Sequence, residues 1–106
     1  MMLNGGKWGN TRLLSRKSVE LMSHDQLGKI GPDQAFGLGF GVDGTKSPLT
    51  ELGTPGSYGW GGFFYTSFSI DPKEELIFVF MGQLHPTGDL TLDRQMRELA
   101  YAAITD

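Results

Sequence analysis

Cysteine is absent from this 106-residue sequence, which excludes a disulfide framework and any thiolate metal site and leaves the redox compartment undecided. Neither acidic nor basic residues dominate. A formal net charge of -3 and a pI near 5.2 give no electrostatic footprint for nucleic acid or for an anionic membrane surface. No apolar run approaches the ~20 residues of a membrane-spanning helix. The opening Met1-Met2-Leu3-Asn4-Gly5-Gly6 lacks the basic and apolar regions of a signal peptide. The only histidines, His24 and His85, are distant in sequence with no second ligand four residues on. They are expected at the surface, and neither a metal nor a cofactor is implied. At this length the chain is one domain at most.

Glycine is plentiful, with 16 residues. Asn4-Gly5-Gly6 predicts a turn. Residues 16–22 predict a short helix with Ser15 as N-cap, since its hydroxyl can accept an orphan backbone N–H. Phe36-Gly37-Leu38-Gly39-Phe40-Gly41-Val42 alternates strictly. In an extended chain Phe36, Leu38, Phe40 and Val42 share one face, and three glycines admit close approach of backbone on the other. Its spacing is not Gly-x-Gly-x-x-Gly and no helix pattern follows, so a nucleotide loop is excluded. Residues 43–57 read as a loop by their Gly and Pro content.

Residues 63–70 alternate as a strand with one buried face, Asp71-Pro72-Lys73-Glu74-Glu75 makes a turn, and residues 76–81 form a second strand. Leu76-Ile77-Phe78-Val79-Phe80-Met81 has no polar face, the mark of a strand covered on both sides and paired at both edges. An isolated chain of this length is not expected to supply that cover. From Leu92, apolar residues at 92, 96, 99, 100, 103 and 104 describe an amphipathic helix laid on a sheet, with Thr91 as N-cap and Asp93 in its first turn.

Self-contained catalytic machinery is absent from the sequence. No lysine has a serine three residues before it, so Ser-x-x-Lys is missing, and no tyrosine begins Tyr-x-Asn. Gly-x-Ser-x-Gly fails at Ser57, which has Pro55 two positions before it. Ser23-His24-Asp25 holds the residue types of a triad, but neighbours at a helix end diverge, whereas a triad converges in space. Glu74-Glu75 beside Lys73 is a solvated turn rather than an acid/base dyad.

The positive signal is Gly59-Trp60-Gly61-Gly62-Phe63, followed by an aromatic strand, the Asp71-Pro72 turn, an apolar strand and a terminal helix. In that order it resembles the last conserved element of the serine β-lactamase, penicillin-binding protein and carboxylesterase superfamily. There an edge strand carries Lys/His-Thr-Gly, or Trp-Gly-Gly in an esterase-like branch. The Asn-Gly-Gly, Leu-Leu-Ser and Val-Glu-Leu-Met phrases upstream are similar to the segment preceding that motif. The resemblance implies an α+β fold, an antiparallel sheet with flanking helices. Residues 1–106 would be a single partial domain, roughly the C-terminal third of a larger unit. It implies that the backbone N–H of Phe63 is one oxyanion donor, with Trp60, Gly61 and Gly62 forming the substrate-facing strand. Trp60 and Gly61 stand where relatives have a cation and a hydroxyl, which leans toward esters or other uncharged acyl substrates. The implied partner is the missing N-terminal part of the domain or a complementing chain, without which the chain would be inactive. The alternative is a non-catalytic β module, in which Trp60, Phe63 and Tyr65 stack on an apolar or carbohydrate ligand.

Overall fold

A computed structural model describes residues 1–30, 35–44 and 52–105. The middle of the loop expected over residues 43–57 lies outside them. The opening turn is formed as expected, with the Gly5 N–H donating to the Met2 carbonyl at 3.0 Å. It leads into a small hairpin of β1 (Lys7–Trp8) and β2 (Thr11–Arg12). Helix α1 (Arg16–Ser23) begins at Ser15, whose hydroxyl accepts from the Ser18 N–H at 3.0 Å. Five antiparallel strands follow in sequential order: β3 (Ala35–Phe36), β4 (Gly41–Val42), β5 (Tyr58–Gly62), β6 (Thr66–Asp71) and β7 (Leu76–Met81). Helix α2 (Leu92–Ala102) closes the chain. The architecture is α+β, as the sequence implied.

Two expectations about strands are corrected. The alternating segment 36–42 is a tight hairpin, in which Ala35 faces Val42 and Phe36 faces Gly41. Leu38 and Gly39 form the reversal, with Gly39 at φ +92, a conformation glycine reaches without the Cβ penalty. The expected close approach does occur at Gly37. A side chain there would meet the Met22 carbonyl at the end of α1, which itself accepts from the Leu38 N–H at 3.0 Å. The second correction concerns residues 63–70, where only Thr66 onward is strand. Phe63, Phe64 and Tyr65 form the hairpin loop instead, because Gly62 pairs directly with Thr66.

The register sorts the sheet into two faces, since directly paired residues project to the same side. On one face Ala35, Val42, Tyr58 and Ile70 form a continuous buried row, packed by Met2, Leu3, Phe40 and Phe68. Burial fades along this face toward the Gly62 end. Val79 of the next row is 59% exposed and Met81 of the last is 78% exposed. The opposite face carries Gly59, Gly61, Ser67, Ser69 and Asp71 from β5 and β6, and α2 lies over it.

Helix α2 does not present its apolar stripe to the sheet, contrary to expectation. Asp93, Arg97 and Tyr101, spaced by four, are half-buried together with Glu98 and Ala100, while Leu92, Met96 and Leu99 of the stripe point outward and Leu99 is 64% exposed. The reason is the small, polar character of the sheet face beneath. Arg97 meets Asp43 at 3.5 Å, and the Tyr101 hydroxyl donates to Asp71 at 2.7 Å. Thr91 occupies the N-cap position without a side-chain cap bond.

Asp71 joins three parts of the chain. Its carboxylate accepts from the backbone N–H groups of Lys73 at 3.0 Å and Glu74 at 3.1 Å, fixing the β6–β7 turn, and it also takes the Tyr101 hydroxyl. Asp71 is 1% exposed. Burial pushes its pKa upward, but bonds from Thr54, Tyr101 and the two backbone N–H groups outweigh that effect and hold it below the usual carboxylate range. Asp71→Asn is expected to destabilise the fold by about 1–3 kcal/mol, because charge-assisted bonds are weakened in a buried site. A lowered folded pKa gives stability that is fully present above the unfolded value of about 3.9 and is lost as pH falls through the folded value. Thermal melts from pH 7 to 2 should therefore show a steeper acid-side loss in the wild type than in Asp71→Asn; parallel curves would contradict this.

Strand β7 bonds to β6 along one edge, and its other edge has no strand partner among the described residues. Ile77, Val79 and Met81 are exposed on one face, so the expected two-sided cover is not supplied here. Such an edge pairs with other chains. Sedimentation of the chain alone should show self-association that Val79→Lys reduces; a monomer at all concentrations would contradict this.

Candidate functional site

The Trp-Gly-Gly run lies on β5, and its surroundings follow from where β4 stops. Strand β4 pairs with β5 only at Gly41 with Gly59 and Val42 with Tyr58. From Trp60 to Gly62, β5 is bonded to β6 on one side and has no ladder partner on the other among the described residues. The resemblance implied an edge strand; β5 instead lies between β4 and β6, and only its stretch from Trp60 to Gly62 is open on one side among the described residues.

The direction of the amide that follows is set by the hairpin loop. The Tyr65 N–H donates to the Gly62 carbonyl at 3.1 Å, so that carbonyl points into the loop. In a trans peptide the carbonyl and the next N–H point to opposite sides. The Phe63 N–H therefore faces away from the loop, toward the open edge of β5, and among the described residues it donates to no backbone carbonyl. Tyr65 adopts φ +67, as the last residue of three-residue hairpin loops characteristically does.

The rings around the motif are packed on one another. Trp60 meets Phe36 edge to face with centroids 4.9 Å apart. Phe63 is 71% exposed, yet its ring lies nearly parallel to that of His85 at 4.1 Å and 17°. The Tyr65 hydroxyl accepts from the Leu92 N–H at 2.7 Å and the Asp93 N–H at 3.3 Å. It satisfies the start of α2 where Thr91 does not. No local sequence signal pointed to Tyr65 as a cap or to the pairing of His85 with Phe63, because both contacts link segments that only the fold brings together.

Behind the motif, between β5 and α2, lies a cleft of about 490 Å³. Gly59, Gly61, Ser67, Ser69 and Phe78 line its floor, and Arg97 lies on its helical side. Trp60 and Gly62 also border it, but Phe63 does not, so the cleft and the open edge are distinct features. The phenols of Tyr58 and Tyr101 are both pushed up, Tyr58 by burial and Tyr101 by burial together with its bond to Asp71. Both remain neutral near pH 7.

The remaining sequence candidates are held in structural roles. Ser23 donates to the Val19 carbonyl at 2.9 Å, and His24 bonds the Glu20 carbonyl at 2.7 Å. Asp25 accepts from Leu27, Gly28 and Phe36 N–H groups. The three side chains diverge, as expected, and Asp25 ties the end of α1 to β3. No helix is long and apolar enough to cross a membrane among the described residues.

The glycines of the motif are not equivalent. A Cβ at Gly59 would run into the Phe68 carbonyl, whereas one at Gly61 would sit 3.5 Å from the Thr66 carbonyl oxygen in ordinary contact. Gly59→Ala is expected to destabilise by about 1–3 kcal/mol through overpacking against backbone, and Gly61→Ala by less than about 0.5 kcal/mol. Denaturant titration of the two variants checks the ranking, and equal losses would contradict it.

Comparison with known proteins agrees with this arrangement of elements. The profile of the family described as Beta-lactamase matches residues 2–102. Proteins named "Putative D-alanyl-D-alanine carboxypeptidase" from Salmonella typhi, Salmonella paratyphi B and Salmonella newport are each 37% identical over 86 residues. The match covers 77% of this chain but 19% of the length of each relative. The family match spans nearly the whole chain, and the chain belongs to the beta-lactamase family.

Proposed function

We propose that this chain supplies the oxyanion-binding wall of a serine acyl hydrolase. In this reading residues 1–106 form a partial domain that works with a segment bearing Ser-x-x-Lys. Acyl transfer places negative charge on the carbonyl oxygen as the nucleophile adds, and fixed N–H donors at that position lower the barrier. The observation that carries the reading is the orientation of the Phe63 N–H, turned to the open edge of β5 by capture of the Gly62 carbonyl. Gly61 and Gly62 leave that edge free of bulky side chains. The second donor would be the N–H of the nucleophile itself.

Three further features favour an additional segment. Strand β7 has an unpaired edge among the described residues, Ile77, Val79 and Met81 are exposed, and α2 turns Leu92, Met96 and Leu99 outward. Covering such side chains gains on the order of 1 kcal/mol or more apiece. The short share of the relatives' length that the chain matches is in keeping with this.

Trp60 offers no cation and Gly61 no hydroxyl to hold a substrate carboxylate, so the acyl donor is an ester or another uncharged acyl group. A second reading comes from the name carried by the Salmonella relatives, which points to D-alanyl peptides as acyl donors at the same wall. The ligand-platform alternative is disfavoured by packing. Trp60 and Phe63 each have an intramolecular ring partner, and the Tyr65 hydroxyl is bonded to α2.

Assembly of the chain with a segment bearing Ser-x-x-Lys and Tyr-x-Asn is expected to yield hydrolysis of p-nitrophenyl esters in preference to a D-alanyl-D-alanine peptide. Phe63→Pro removes the N–H and should lower kcat by about 10²–10³. Full activity of that variant would remove Phe63 from the mechanism. Preferential release of D-alanine would favour the second reading.

A further inference from the structure

We propose that His85 is a positioning residue for the Phe63 amide, an inference that rests on the oxyanion-wall reading. A donor at the first residue of an exposed hairpin loop is useful only if the loop is held still, because a displacement of about 1 Å can cost on the order of 10²-fold in rate. Every residue of the loop is tied to the connector between β7 and α2. The Gly82 N–H donates to the Tyr65 carbonyl at 3.1 Å and the Leu84 N–H to the Phe64 carbonyl at 3.1 Å. These bonds continue the β6–β7 pairing past Thr66 and Met81. The next step of the same progression is the stack of His85 on Phe63.

The first two ties are backbone bonds, and they fix Phe64 and Tyr65. Phe63 carries the outward amide and is held through its side chain, by His85 at 4.1 Å and by the edge of Phe64 at 5.2 Å. His85 also meets Phe64 at 6.3 Å, so one imidazole braces both loop phenylalanines. Fixing the Phe63 ring restricts its χ1 and, through it, the backbone that aims the N–H. The role asks for a flat ring at position 85 and for no proton transfer. A histidine that sequence reasoning leaves at the surface thereby acquires a place in the site.

The test combines a double-mutant cycle with a ring replacement in the assembled enzyme. His85→Ala and Phe63→Ala are each expected to lower kcat about tenfold with little change in KM, and the double variant should be no worse than either single one. His85→Phe should restore kcat, and His85→Gln should not. Additive losses, an unchanged kcat in His85→Ala, or failure of His85→Phe would overturn the positioning role. A second readout needs no nucleophile. In the ¹⁵N-labelled 106-residue chain carrying Val79→Lys, His85→Ala should lower the Phe63 amide order parameter from about 0.85 toward 0.6, and an unchanged value would overturn the proposal. The two layers separate cleanly. An active Phe63→Pro enzyme defeats the oxyanion reading itself, whereas an inactive one beside a normal His85→Ala defeats only the role of His85.

Discussion

The bond from the Tyr65 N–H to the Gly62 carbonyl closes the β5–β6 hairpin, and both the candidate site and the placement of α2 follow from it. By turning the Gly62 carbonyl inward, it turns the Phe63 N–H outward to the edge that has no strand partner among the described residues. By ending the loop with Tyr65 in a left-handed conformation, it also sends the phenol toward the first turn of α2, where the hydroxyl takes two backbone N–H groups. A single turn thus couples the amide proposed for catalysis to the helix that covers the back of the sheet. The far end of that helix is held independently, through Tyr101 on the buried Asp71 carboxylate.

The distribution of apolar surface divides the molecule into a finished half and an unfinished half. The row Ala35, Val42, Tyr58 and Ile70 is closed over by the first residues of the chain. Beyond it, the same face opens toward Trp60, Val79 and Met81, and the outer side of α2 repeats the pattern with Leu92, Met96 and Leu99. Neither surface suits long exposure to water, and both lie on elements that belong to a family represented here over 19% of the matched relatives' length.

Much of the architecture was legible in the sequence because short-range rules governed it. Ser15 before an amphipathic run, Asn-Gly-Gly, the Asp71-Pro72 turn and the two-sided apolar strand each imposed a local outcome. The misreadings arose where distant partners decided. Alternation through 36–42 was compatible with one strand or with two very short ones, and the choice fell to Gly39 and to the approach of Met22. Alternation through 63–65 was overridden by the direct pairing of Gly62 with Thr66. The apolar stripe of α2 faced outward because Asp43 and Asp71 recruited Arg97 and Tyr101, an outcome set by side chains far away in sequence. For the site, the glycines could be read from the motif itself, but the open stretch follows from where the pairing of β4 stops. The brace of His85 on Phe63 could not, since nothing in either local sequence signals the other.

In the proposed role the contribution of this chain is geometric. It presents one backbone donor on a strand edge kept clear by glycine and held from behind by a connector and a helix. The most direct measurement is the structure of the assembled enzyme with a phosphonate analogue of the tetrahedral intermediate bound to the nucleophile. An analogue oxygen is expected within about 2.7–3.1 Å of the Phe63 nitrogen, on the side of β5 away from β6. An oxygen held by other donors, with the Phe63 N–H turned into the loop or to solvent, would contradict the oxyanion-wall role.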